Sequence, residues 1–186
     1  GSPQILELSG VGQGELLAER GIETLHTLPG VGENLSDHLQ VRAAFRVSGV
    51  STLNSRIKSL SGRAAMALDF ALRRRGPLTM SPSQLGVFCK SDPSRETANL
   101  QYHVQPLSLD AFGEPLHGFD AFTASVCNLR PESRGSVHVR TSSFRDAPSI
   151  APNYLSAPAD RQVAADALRL TRRIVAQQAL ERYRPE

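Results

Sequence analysis

In Leu39-Gln40-Val41-Arg42-Ala43-Ala44-Phe45-Arg46-Val47 every odd position is apolar, and the even ones hold Gln40, Arg42, Ala44 and Arg46. Successive side chains of a strand point to opposite faces, so a period of two describes a strand with one buried and one polar face. That pattern belongs to an antiparallel sheet with one face on the core. Working outward, four more segments read as strands: 84–90, 99–105, 119–129 and 136–141, the last with Val137 and Val139 facing in. In 99–105, Leu100, Tyr102 and Val104 share one face, and Gln101, His103 and Gln105 share the other. Helices are expected around them. Ser2 reads as an N-cap with Pro3 in the first turn, and Gly10 stops that helix. A second helix spans 14–20, with Gly21 at its left-handed end. A third runs over 57–74 on the stripe Ile57, Leu60, Ala64, Leu68, Ala71 and closes on Arg73-Arg74-Arg75 before Gly76-Pro77. A fourth spans 159–178, with Val163, Ala167, Leu170 and Ile174 on one face. Segment 29–32 reads as a turn, 49–56 as a polar loop and 110–119 as a Gly/Pro-containing loop. The expected fold is α+β: a mostly antiparallel sheet of about five to six strands with helices packed on one side.

Composition bounds the rest. The chain has 186 residues, of which 40% are hydrophobic, and Leu, Ile, Val and Phe make up about a quarter of it. This excludes a disordered tail, a collagen-like repeat and a coiled coil. The formal net charge is +3. The arginines are scattered, and no aromatic residues interleave the clusters at 73–75 and 172–173, so nucleic acid is not an expected partner. No apolar run is long enough for a transmembrane segment. Cys89 and Cys127 sit in apolar stretches, lack metal-ligand spacing and read as buried thiols of a reducing compartment such as the cytoplasm. The five histidines give no metal site either.

Little chemistry is legible locally. Ser9-Gly10-Val11-Gly12-Gln13-Gly14 and Gly30-Val31-Gly32 hint at dinucleotide binding, but neither completes G-x-G-x-x-G, and both read as a helix stop and a turn. Asp37 and His38 are adjacent on extended chain and point apart. No G-x-S-x-G elbow supplies a nucleophile, so a hydrolase using this pair has little support. His103, between Gln101 and Gln105, is the better candidate: if that face lines a pocket, three hydrogen-bonding groups converge there. His138 lies between Ser136 and Arg140 and reads as a solvated side chain. His26 and His117 fall in turns.

Several runs in a fixed order resemble one family. They are Ser2-Pro3-Gln4-Ile5-Leu6, Leu8-Ser9-Gly10-Val11-Gly12 and Leu28-Pro29-Gly30-Val31-Gly32-Glu33-Asn34-Leu35-Ser36-Asp37-His38. Further on come Gly76-Pro77-Leu78-Thr79, Leu100-Gln101-Tyr102-His103, Arg130-Pro131-Glu132-Ser133-Arg134-Gly135-Ser136-Val137 and Pro152-Asn153-Tyr154-Leu155-Ser156. Together they resemble the glucose-methanol-choline (GMC) oxidoreductases, flavoenzymes that oxidise alcohols. The resemblance implies FAD as cofactor of a full-length protein, with none bound by this chain alone, and an alcohol as substrate. It implies a flavin-binding half of the same polypeptide before this region. The family's catalytic histidine and its His or Asn partner fall beyond residue 186, so no catalytic residue is expected within the chain. A start on a helix cap fits a piece of a longer protein.

The implied layout is a flavin-domain tail over 1–38, a substrate-binding sheet domain over 39–155 and a returning helix over 156–186. The implied substrate contacts are His103 and Gln40; Ser2, Pro3 and His38 would border the cofactor. Choline-oxidising members carry Glu at the position of Gln40. A neutral amide cannot balance a fixed cation in a partly dry pocket, which argues for a neutral primary alcohol over choline. The alternative reading is a stand-alone ligand-binding or interaction module that reuses this sheet without chemistry.

Overall fold

The computed structural model describes residues 1–81, 83–111 and 113–186; position 112, inside the loop expected over 110–119, lies outside them. In chain order the elements are α1 (Ser2–Leu8), β1 (Val11–Gly12), α2 (Gly14–Glu19), β2 (His26–Thr27), β3 (Gln40–Arg46), α3 (Leu53–Lys58), α4 (Leu60–Arg73), β4 (Leu85–Cys89), β5 (Leu100–Gln105), β6 (Ala121–Asn128), β7 (Ser136–His138), β8 (Ser149–Ala151), α5 (Pro158–Val175) and α6 (Gln178–Glu181). They form two compact units, one of residues 1–39 and 130–162, the other of 40–129 and 163–186.

In the second unit, four antiparallel strands lie in the order β3-β6-β5-β4. The α+β class and the antiparallel sheet stand, with four strands in the sheet among the described residues. Pairing follows the alternation read from sequence. Val41, Val126 and Tyr102 align across three strands, as do Ala43, Ala124 and Val104. This apolar face packs on α5: Leu100, Tyr102, Ala124 and Val126 bury against Val163 and Ala167, with Leu170 beside them. The Tyr102 hydroxyl is satisfied by Thr171 Oγ1 at 2.9 Å and the Ala167 carbonyl at 3.2 Å. Burial pushes its phenol above the ordinary value. At the outer edge, Arg46 and Glu186 exchange both backbone hydrogen bonds, at 2.8 and 3.0 Å.

The segment expected as a loop over 49–56 is partly helical. Thr52 caps α3, its Oγ1 accepting from the Asn54 amide at 3.3 Å and donating to Asp120 Oδ1 at 2.8 Å. The helix expected over 57–74 starts later, because Ser59 is extended and caps α4 by accepting from the Gly62 amide at 3.2 Å. Its apolar stripe does not reach a core. Met66 is the buried residue of α4, while Leu60 and Leu68 are exposed. The last expected helix breaks after Val175 and resumes as α6.

In the first unit, β1 and β2 pair in parallel and β7 pairs antiparallel with β8. Segment 136–141 therefore makes a separate ribbon instead of joining the main sheet, and Ser149–Ala151, exposed throughout, supplies a partner the sequence did not signal. Helix α1 begins at Ser2 with Gly1 as its cap, because the Ile5 amide donates to the Gly1 carbonyl. The expected Ser2 cap is displaced by one residue. Gly21 takes the left-handed conformation expected of it, at φ +70°, and Gly10, past the end of α1, also has a positive φ of +79°. Asp160, at the start of α5, receives the Glu132 amide at 2.9 Å and the Ser133 amide at 2.8 Å, together with the Ser133 hydroxyl. Gly135 bridges Leu35, and a Cβ built on it would stand 1.9 Å from the Ala151 carbonyl oxygen. Residues 130–155 thus pack with 1–39, and the expected sheet-domain span of 39–155 loses its last part to the first unit.

Candidate functional site

Strand register decides which side chains can act together. Residues directly opposite one another across antiparallel strands share a face. Gln40 of β3 aligns with Cys127 of β6 and Gln101 of β5. In the next row, Arg42 aligns with Ser125, His103 and Gly86. A third row holds Ala44, Thr123 and Gln105. The face opposite α5 therefore carries nearly all the sheet's hydrogen-bonding side chains, and none of the residues in these three rows is a carboxylate. Gln40 and His103, singled out from sequence, are brought to this one face, two strands and one row apart, about 12 Å. Neighbouring strands pass about 4.8 Å apart, so an alcohol between two rows is within reach of several of these groups.

The face is not uniformly solvated. Ser125, Thr123 and Cys127 of the central strand are buried, and His103 and Arg42 are half-buried. Thr123 Oγ1 donates to the Leu107 carbonyl at 2.7 Å, which draws the loop after β5 across this end of the sheet. Asn54, buried, fixes that loop through its side-chain amide. Its Nδ2 donates to the Ser108 and His117 carbonyls, both at 3.1 Å, and its Oδ1 accepts the Ser108 amide at 2.9 Å. His117, which carried no signal in the sequence, links Ser108 Oγ at 2.9 Å to Asp110 Oδ1 at 3.1 Å. Gln105 is buried, and its Oε1 meets no donor among the described residues. A buried acceptor without a donor costs of the order of 1–3 kcal/mol. Burial raises both thiols, Cys89 and Cys127, above the ordinary value, which makes them poor nucleophiles. A cleft of about 490 Å³ opens where β5 ends, between Pro106, Gln84 and the start of α3. Among the described residues its walls include neither His103 nor Gln40.

The residues expected near a cofactor lie in the first unit. Ser2 and His38 are exposed and Pro3 is half-buried. The Asp37 carboxylate accepts the Tyr154 hydroxyl, and this bond holds the phenol above its ordinary value. Asp37 is thus engaged by a tyrosine, and no relay with its neighbour is needed to account for it. A Cβ on Gly10 would meet the Glu23 carbonyl oxygen at 2.6 Å, and one on Gly32 would meet the Val137 carbonyl oxygen at 2.4 Å. Both glycines admit a close approach of the protein's own backbone.

His138 corrects the sequence reading. It is held rather than solvated: Nδ1 faces Glu7 Oε1 at 2.7 Å and Nε2 faces Glu33 Oε1 at 3.2 Å. Glu7 is completely buried, and its other oxygen accepts the Val139 amide at 2.8 Å. Gln13 Nε2 donates to Glu33 at 2.7 Å, which closes the array. The array ties α1, the turn at 29–33 and β7 together, a structural bracket whose partners lie over a hundred positions apart and so leave no local signal. Among the described residues, no group of three or more His, Cys, Asp or Glu could hold a metal ion.

Comparison with known proteins adds a likeness. Residues 131–186 match the GMC oxidoreductase family model. The chain is 35% identical, over its whole length, to an oxygen-dependent choline dehydrogenase of Photobacterium profundum, covering 33% of that protein. It is 35% identical over 86% of its length to an alcohol dehydrogenase (acceptor) of Pseudomonas putida, covering 29% of it. It also superposes on an FAD-dependent oxidoreductase from Chaetomium thermophilum with a TM-score of 0.78 at 20% identity, over 98% of this chain and 37% of that one. The chain spans about a third of the length of the curated relatives it matches.

Proposed function

We propose that this chain, a relative of the GMC oxidoreductases in sequence and in fold, is the substrate-binding part of an FAD-dependent oxidoreductase that takes an alcohol CH–OH to a carbonyl. The observation that carries the reading is the sheet register, which gathers Gln40, Arg42, Gln101, His103, Ser125 and Gln105 on the face opposite α5. A bound FAD would supply the acceptor for the hydride of the carbinol carbon, with the hydroxyl proton passing to a base of the full-length protein. The chain's own residues hold the alcohol. His103 and the Gln105 amide hydrogen-bond its hydroxyl, the central strand fixes their spacing, and the loop anchored by Asn54 limits water at one end of the face. Ser2, Pro3 and His38 border the cofactor.

The substrate we assign is a neutral primary alcohol. A quaternary ammonium in a half-dry site needs an anion close by. The rows of the face offer the neutral Gln40, the cationic Arg42 and no carboxylate. The test is reduction of the flavin of the full-length protein under anaerobic conditions. Bleaching by primary alcohols, with choline much slower, is the expected result. A flavin bleached by choline and not by neutral alcohols would overturn the substrate class. Absence of flavin, or of any alcohol-dependent bleaching, would overturn the enzyme reading itself.

A further inference from the structure

We propose that α4 is a membrane-surface contact whose apolar face lies in the headgroup region of an anionic bilayer. The helix is attached by one side only. Met66 is buried, Phe70 is half-buried, and Gly62 abuts α3 so closely that a Cβ there would stand 2.3 Å from the Arg56 carbonyl oxygen. The opposite side is apolar and open. Leu60 is 77% exposed, Leu68 59% and Leu72 74%, with exposed Ala64 and Ala71 between them. At 3.6 residues per turn these five fall within one arc, which carries no charged residue. Scattered single leucines on a surface need no explanation, but a continuous stripe along a 14-residue helix does.

Charge decides the occupant. Arg56, Lys58 and Arg63 are exposed near the N-terminal end of the helix, and Arg73, Arg74 and Arg75 are exposed near its C-terminal end. The acidic residue of α4, Asp69, is paired with Arg73 at 3.5 Å. Two copies of this face would set cation against cation. An anionic headgroup layer complements both ends at once while the leucines enter the acyl boundary. Among the described residues no helix is long and apolar enough to cross a membrane, so the contact is one of lying on the surface.

Co-sedimentation of the full-length protein with vesicles tests this. Vesicles of phosphatidylcholine with about 30% phosphatidylglycerol should retain the protein, and pure phosphatidylcholine should not. Binding should weaken as salt is raised. The L60Q/L68Q/L72Q variant should bind at least about tenfold more weakly, and so should R73Q/R74Q/R75Q, with the latter also losing the salt dependence. Three results would overturn the proposal. One is a wild-type protein that ignores anionic vesicles. Another is a leucine variant that binds like wild type. The third is a wild-type dimer that the leucine variant converts to a monomer, which would make the face a self-interface. The wild-type comparison of the two vesicle types stands even if a triple variant fails to fold.

Discussion

His103 stands at mid-strand with Arg42 and Ser125 in its cross-strand row, so in the proposed pocket its loss would remove one hydrogen bond to substrate and leave the strand ladder intact. Replacing it with Ala in the full-length protein should raise KM for the alcohol roughly three- to tenfold, the value of one neutral hydrogen bond. Thermal stability should change little, and an unchanged KM would remove His103 from the pocket. Asp160 makes a different kind of prediction. Burial works to raise its carboxyl, but the Ser133 hydroxyl, the Glu132 and Ser133 amides and the charge of Arg134 outweigh it and hold the group below the usual carboxylate range. A depressed carboxyl stabilises the fold above its unfolded value, about 3.9, and this stabilisation disappears as pH falls through the lower folded value. Asp160→Asn should therefore unfold at lower temperature than wild type at neutral pH. The gap should close below about pH 4. Two melting curves that stay parallel down to acid would contradict the assignment.

Elements show where local sequence stops being informative. The ribbon β7–β8 depends on backbone contact at Gly135, where no relaxation of a flexible side chain can admit a methyl group. Gly135→Ala should cost at least about 2 kcal/mol in urea unfolding, and a neutral effect would mean the two strands are not in contact there. The alternation over 39–47 and 99–105 suffices to put Gln40, Arg42, Gln101 and His103 on polar faces, because a period of two is a local property. That those faces are one face was not legible. It follows from β6 lying between β3 and β5, a pairing choice that period alone does not encode. Ser125 and Thr123 join the site for the same reason. The stripe of α4 misled in the opposite direction: amphipathicity shows that a face is apolar, without showing that this chain covers it. Asn54, in a stretch read as loop, was invisible because its partners, Ser108 and His117, are more than fifty positions away.

For the molecule as a whole, the proposed function makes the polar face the feature that sets the charge of the substrate. Gln40→Glu in the full-length protein should raise kcat/KM for choline by about tenfold through one added anion, and should not raise it for neutral alcohols. A large gain on neutral alcohols would dissociate Gln40 from the pocket. The protein is also held together at points that tolerate no side chain, and Gly135 has a consequence at the level of the gene. Any single-nucleotide change in a glycine codon that alters the amino acid yields Ala, Val, Ser, Cys, Asp, Glu, Arg, Trp or a stop, and every one of those residues brings the β-carbon for which this backbone has no room. The codon is a dead end for stepwise drift. In a saturation library its missense alleles should vanish together, irrespective of polarity or size.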